Sequence, residues 1–146
     1  MIDWKFLGSS DLTYYGDSND ISFDPTLGDI VPIQSTNRAR QDVTKILLTE
    51  SGANLLYPAY GTAVYSFVFK PWTDSSARQN LADSITQGIR FLVANDVSPD
   101  PTETISQLSS VRLALPQDTR YINVNIQLLM ADGTNLQITL GGILGA

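Results

Sequence analysis

The stretch Asn37-Arg38-Ala39-Arg40-Gln41-Asp42-Val43-Thr44-Lys45-Ile46-Leu47-Leu48-Thr49-Glu50-Ser51-Gly52, running on through Ala53-Asn54-Leu55-Leu56-Tyr57-Pro58-Ala59-Tyr60-Gly61, decides how the chain is read. Ala39, Val43, Ile46 and Leu47 recur at three- and four-residue spacing, which places them on one face of a helix. Arg38, Gln41, Asp42 and Lys45 fall at other angles, where water is expected. Ser35 or Thr36 is suited to cap the start. Gly52 is suited to close the helix, because glycine accepts the left-handed conformation of many helix ends. Pro58 and Gly61 then predict a second change of direction. Leu47→Ala is expected to cost about 2–5 kcal/mol if that side chain is buried.

Working outward, the residues before the helix divide in two. Positions 1–24 hold Trp4, Phe6, Leu12, Tyr14, Tyr15 and Phe23 without a helical period, which predicts an extended arm ending at Pro25. Gly28-Asp29 reads as a turn and Ile30 to Ile33 as a short edge strand, since an edge tolerates Pro32. Beyond the helix, Leu55-Leu56-Tyr57 reads as an extended link. Length and composition of the apolar run Ala63 to Phe69 favour a buried strand, although so short a run does not by itself exclude a helical turn. Pro71 and Asp74 announce a second helix ending near Asn95, with Leu81, Ile85, Ile89 and Leu92 on one side. Gly88 shares that side and costs roughly 1 kcal/mol against alanine, so close approach of another backbone is expected there. A loop from Asn95 to Pro101 precedes a strand, Val111 to Leu115, stopped by Pro116.

The clearest sheet signal is last. Ile122, Val124, Ile126, Leu128 and Met130 alternate with Tyr121, Asn123, Asn125 and Gln127, and Leu136, Ile138 and Leu140 with Asn135, Gln137 and Thr139. A loop of Ala131, Asp132 and Gly133 pairs Leu128 with Leu136 and Ile126 with Ile138, keeping apolar residues on one face. Gly141 to Ala146 is expected to be loosely held. Together these elements predict an α+β fold: two helices packed on a small antiparallel sheet with a C-terminal β-hairpin.

Composition narrows the chemistry. A length of 146 residues suits one domain, taken as 1–146, and the apolar fraction of 42% is ordinary. No apolar run approaches the ~20 residues that span a bilayer, and the first residues do not read as a signal peptide. A net charge of −6 argues against nucleic-acid binding. There is no Cys and no His, so thiol chemistry and the commonest general base and metal ligand are missing. Asp17-Ser18-Asn19-Asp20 reads as a solvated turn ahead of a calcium loop. No cofactor is implied.

The quoted stretch also carries a resemblance. A helical Gln41, then Leu47-Leu48-Thr49-Glu50 with Gly52, then Pro58, Tyr60 and Gly61, resembles the signature of the small gpW-like baseplate wedge family of contractile-tailed phages. Gly28-Asp29-Ile30 fits the same pattern. The resemblance implies a structural subunit of the virion, made in the host cytoplasm and present in six copies per baseplate. It implies binding to larger wedge proteins, connection to the first ring of tail sheath, and possible contact with hub or tail-tube proteins. The family often carries Glu-Pro-Arg after its second helix at a wedge contact. Here Asp100 and Pro101 keep the acid and the proline, while Thr102 stands where arginine is expected.

Two other function classes compete. Members of the family are sometimes labelled lysozyme-like, and glycoside hydrolysis needs two carboxylates across one bond. The chain has two glutamates, Glu50 and Glu103, with no signal joining them, so no catalytic residue is assigned. The other class is a cytosolic adaptor with an exposed sheet edge. For the tail reading, the hairpin edge is expected to take a sheath strand, with Asn123, Asn125, Gln127, Asn135, Gln137 and Thr139 as candidates. The strand interiors lack the Pro and charged residues that usually blunt an edge.

Overall fold

The computed structural model describes residues 35–67, 70–115 and 121–144, together with four two-residue strands ahead of them. These are β1 (Asp3–Trp4), β2 (Phe23–Asp24), β3 (Asp29–Ile30) and β4 (Pro32–Ile33). β1 pairs with β4 and β2 with β3, both antiparallel. The stretch expected as one edge strand is therefore two short strands with different partners. The rest of the expected N-terminal arm lies outside the described residues.

Helix α1 spans Thr36–Leu48 and α2 spans Ser75–Asn95. Strands β5 (Ile105–Ala114), β6 (Tyr121–Met130) and β7 (Asn135–Leu144) form an antiparallel sheet in the order β5-β6-β7. The fold is α+β, as the periodicities require. Ile122, Val124, Ile126, Leu128 and Met130 of β6 are buried, and they meet Val43, Ile46 and Leu47 of α1 and Leu81, Ile85 and Ile89 of α2 in one core. Burial of each such side chain is worth about 1.5–3 kcal/mol, which makes this face the main source of stability. Trp72, just ahead of α2, joins the core at 1% exposure.

The hairpin has the expected register. Leu128 pairs with Leu136 and Ile126 with Ile138. Gly133 takes φ +86 in the three-residue loop, and its N–H donates to the Met130 carbonyl.

Several expectations are corrected. The run after Ala63 is not a strand: residues Val64–Phe67 form a single 3-10 turn, with Val64 buried but Tyr65 and Ser66 exposed. Phe69, which closed the expected strand, lies outside the described residues. Leu55 to Tyr57 is bent rather than extended, because the Asn54 carboxamide oxygen accepts the N–H groups of Leu56 and Tyr57. The last strand runs past Leu140: Ile143 pairs with Ile122 and Leu144 with Tyr121, across a register shift between Ile122 and Val124. Gly141 and Gly142 fall at this irregularity, where a strand continues around extra chain length instead of ending. β5 begins well before Val111. Its first half is rich in Ser and Gln and carries two register shifts, which erase the alternation that marks a strand.

The ends of α1 also differ from expectation. Ser35 takes the capping position at φ +58 but makes no side-chain cap bond. The helix ends in extended Thr49, not at Gly52. Gly52, at φ +84, sits in the next turn, where Ala53 N–H donates to the Glu50 carbonyl. Arg38 and Gln41 do not meet water freely: the Arg38 side chain is 12% exposed and Gln41 is buried. α1 is covered over a wider arc than its apolar stripe.

Candidate functional site

The first surface to consider is the free side of β7. Met130 N–H donates to the Thr134 carbonyl, so Thr134 faces β6. Backbone direction alternates along a strand, so Leu136, Ile138 and Leu140 also turn their backbone groups toward β6. Asn135, Gln137 and Thr139 turn theirs outward. Among the described residues no strand pairs with that side. By the same alternation, Asn125 faces its backbone toward Arg112 of β5.

Asn123, Asn125 and Gln127 therefore lie on the central strand and away from any edge, contrary to expectation. β5 covers the side of β6 that the hairpin alone leaves bare. The polar side chains there serve the outer face of the sheet: Asn125 accepts from the Thr139 hydroxyl at 2.9 Å, and Gln127 from the Ser110 hydroxyl at 3.1 Å. The two outer strands differ as edges. β5 has two irregularities and the charge of Arg112, devices that discourage pairing. From Asn135 to Leu140, β7 has neither.

The Asp100-Pro101-Thr102 loop is tied to the turn of the β6–β7 hairpin. The Asp100 carboxylate accepts from the Thr102 N–H at 2.8 Å and its hydroxyl at 2.7 Å. Those bonds hold the Asp100 carboxyl below its ordinary value. The Pro101 carbonyl accepts from Asp132 N–H at 3.2 Å, and the Thr104 carbonyl accepts from Ala131 N–H at 2.9 Å. Thr102 thus works as a turn former within the chain. The loop and the start of β7 stand at the same end of the sheet.

Next to the loop lies a buried ion pair that spacing could not reveal. Glu103, at 3% exposure, binds Arg38 at 2.8 Å across 65 positions of sequence. It also accepts from the Ser35 N–H at 3.3 Å and the Ser98 hydroxyl at 3.0 Å. Burial alone would push this carboxyl up, but the bonds from Arg38, Ser98 and Ser35 outweigh it and hold the group below the ordinary carboxylate range. Burial likewise opposes the Arg38 charge, and the Glu103 bond with the nearby acids raises its pKa in spite of that. A carboxylate at the start of α1 also complements the positive end of the helix dipole.

The residues quoted for the signature are mostly joint-builders. Glu50 forms a parallel bridge with Thr62, through Ser51 N–H to the Thr62 carbonyl and Thr62 N–H to the Thr49 carbonyl. Gly61 takes φ +117, and a Cβ there would lie 2.8 Å from the carbonyl oxygens of Thr49 and Glu50. Gly52 N–H donates to the Pro58 carbonyl. Tyr60 packs edge-on against Phe91 at 6.2 Å. Leu47 is buried, whereas Leu48 and Glu50 are exposed. The close neighbour of Gly88 is a side chain, not a backbone: a Cβ there would lie 2.4 Å from Thr62 Cγ2. Thr62 in turn donates its hydroxyl to the Leu47 carbonyl and accepts from Val64 N–H.

Tyr57, Tyr60, Phe91 and Val97 line a cleft of about 430 Å³ whose polar residues include Arg38 and Glu103. Glu50 does not line it. Among the described residues no group of His, Cys, Asp and Glu could hold a metal ion, and no helix is long and apolar enough to cross a membrane.

Comparison with known proteins yields one structural likeness. The fold is similar to the crystal structure, at 1.44 Å resolution, of a Geobacter sulfurreducens protein provisionally described as a tail lysozyme. The TM-score is 0.57 and the identity 15%, over 77% of this chain and 94% of the other. No protein-family model and no curated protein matches the sequence.

Proposed function

We propose that this chain is a structural subunit of a contractile phage-type tail baseplate, and that it connects the baseplate to the first sheath ring by accepting a strand on β7. The observation that carries the proposal is the unblunted outer side of Asn135 to Leu140, where Asn135, Gln137 and Thr139 offer three N–H and three C=O groups in register. Its support in kind is the likeness in fold to a protein described as a tail component. The larger wedge proteins are the proposed partners of the Asp100-Pro101-Thr102 loop, which shares an end of the sheet with the start of β7. Six copies per baseplate follow from the resemblance in the sequence.

The competing reading is glycoside hydrolysis, suggested by the description of that similar structure. It needs a carboxylic acid kept protonated by its surroundings. Glu103 is the reverse: three donors converge on it and favour the ionised form. Glu50 is exposed, and its local role is the backbone bridge to Thr62. The structural reading therefore expects no peptidoglycan cleavage, and robust lysis abolished by Glu50→Gln would overturn it. An adaptor would be absent from particles, whereas a tail subunit is recovered with them in fixed ratio to sheath.

The direct test is Gln137→Pro. The Gln137 amide points outward, so proline removes a group of the open edge and spares the bonds to β6. Sheath attachment should fail while the isolated chain stays folded. A map of the baseplate–sheath junction with no strand beside β7 would disprove the proposal.

A further inference from the structure

The open side of β7 is also symmetrical. Asn135, Gln137 and Thr139 turn their backbone groups outward, evenly about Gln137. A two-fold axis beside Gln137, normal to the sheet, lays a second β7 antiparallel to the first. Gln137 then meets Gln137 of the other copy, and Asn135 meets its Thr139. Each outward N–H finds a carbonyl across the junction. Leu136 falls opposite the other copy's Ile138, so apolar side chains stay on one face of a continuous sheet. Helix α2 packs at the far strand, where its Arg90, Val93 and Ala94 share a small cavity with Ser106, Gln107 and Leu108 of β5. A second copy comes in from the side away from that contact.

The side chains favour this pairing over a chance edge contact. At a net charge of −6 the chain repels its own copies in general. Yet β7, from Asn135 to Leu144, carries no charge, and Asp132, the nearest acid, lies in the turn beyond the paired stretch. Like charges are therefore not set face to face, which is the usual obstacle when a strand pairs with its own copy. On the outer face the Thr139 hydroxyl gives its proton to Asn125, and its oxygen can still accept from the Asn135 carboxamide of the other copy. Gln137 is exposed, and two carboxamides brought together can each donate and accept. β5 offers no such match, because two register shifts and Arg112 interrupt it.

We infer that the free chain forms a weak symmetric dimer through β7, with Gln137 at the axis, and that this pairing covers the edge until a strand of another protein displaces the second copy. The inference rests on the same open edge as the sheath proposal, but not on the sheath.

The test is sedimentation of the purified full chain over a series from about 1 μM to about 500 μM, a range that spans weak association. Dimer should appear and grow along the series. Gln137→Lys sets two ammonium groups at the axis, and Gln137→Glu sets two carboxylates there. Each variant alone should dimerise at least about tenfold more weakly than the parent. Mixed in equal amounts, the two should recover a one-to-one dimer, since only an axis at Gln137 brings that position of one copy to the same position of the other. The side chain is exposed, so both variants should melt like the parent at low concentration. A chain that stays monomeric throughout, a parent-like dimer in either variant alone, or a mixture no more dimeric than its components would each overturn the inference. Sheath attachment is read on particles, so a monomeric chain leaves that proposal standing, and failed attachment leaves the dimer standing.

Discussion

α1 and α2 each leave into a loop that must be held in place, and the two exits are held by different means. After α1 the fixing is done by backbone. Extended Thr49 and Glu50 lie so close to Gly61 and Thr62 that a side chain at Gly61 would meet two carbonyl oxygens. After α2 it is done by carboxylates. Those of Asp96, Asp100 and Glu103 accept bonds from Ser98, Thr102, Arg38 and Ser35, and the Asp100 carbonyl adds the N–H groups of Glu103 and Thr104. A joint made of backbone contact resists pH and salt and tolerates no new Cβ. A joint made of charge is indifferent to Cβ atoms and depends on its counter-ion.

The largest expected effect comes from breaking the charged joint at its centre. Glu103→Leu leaves the Arg38 guanidinium buried without its carboxylate, which should cost about 3–5 kcal/mol in urea unfolding. Adding Arg38→Met should return most of that loss, because an apolar pair of similar volume needs no counter-ion. If the double variant is no more stable than Glu103→Leu, the pair is not what fixes this exit.

The backbone joint breaks at Gly61. Gly61→Ala combines a strained φ with two carbonyl clashes, and a loss of about 2–3 kcal/mol is expected. Gly52 separates the two causes. It has φ +84 but nothing within 4 Å of the added Cβ, so Gly52→Ala should cost only about 1 kcal/mol. Equal losses at both positions would show that conformation alone, not close approach, sets the requirement.

This contrast explains what could be read from the sequence. Gly61, Pro58 and the stripe from Ala39 to Leu47 act on their own neighbours, so their meaning survives in a single chain of letters. The hairpin was legible for the same reason, since its register follows from alternation and one glycine. Glu103 was opaque because its partner is 65 positions away and nothing near it announces burial. The edge residues of β6 were misplaced because β5, the strand that covers them, opens with Ser106, Gln107, Ser109 and Ser110. That stretch has no apolar alternation, and its register shifts hide the pairing.

A smaller effect sharpens the link between the α1 exit and the helix behind it. Gly88→Ala forces the new methyl against Thr62 Cγ2, at an expected net cost of about 1–2 kcal/mol after the helix preference of alanine is counted. Thr62→Ser removes that methyl while keeping a hydroxyl for the Leu47 carbonyl and Val64 N–H. The double variant should regain about 1 kcal/mol over Gly88→Ala, and a cycle with no such coupling would show that the helix yields instead.

The last effect, specific to the charged joint, is its response to acid. The Glu103 carboxyl lies below its ordinary value of 4.5 in the folded chain. The unfolded chain therefore takes up the proton first as pH falls, and proton uptake by the unfolded state favours unfolding. The stability that Glu103 contributes is complete above about pH 4.5 and is lost as pH drops through the lower folded value. Asp74 and Asp100 are held down in the same way by Ser76 and Thr102, so the whole protein will weaken in acid for several reasons. Glu103→Gln isolates one of them, since the amide can still accept hydrogen bonds but has no proton to gain. The difference in urea stability between parent and Glu103→Gln should be constant from about pH 8 to pH 5 and shrink below about pH 4.5. A difference that stays constant into strong acid would mean that Glu103 is not held ionised, and one that widens would mean that its folded value lies above the ordinary one.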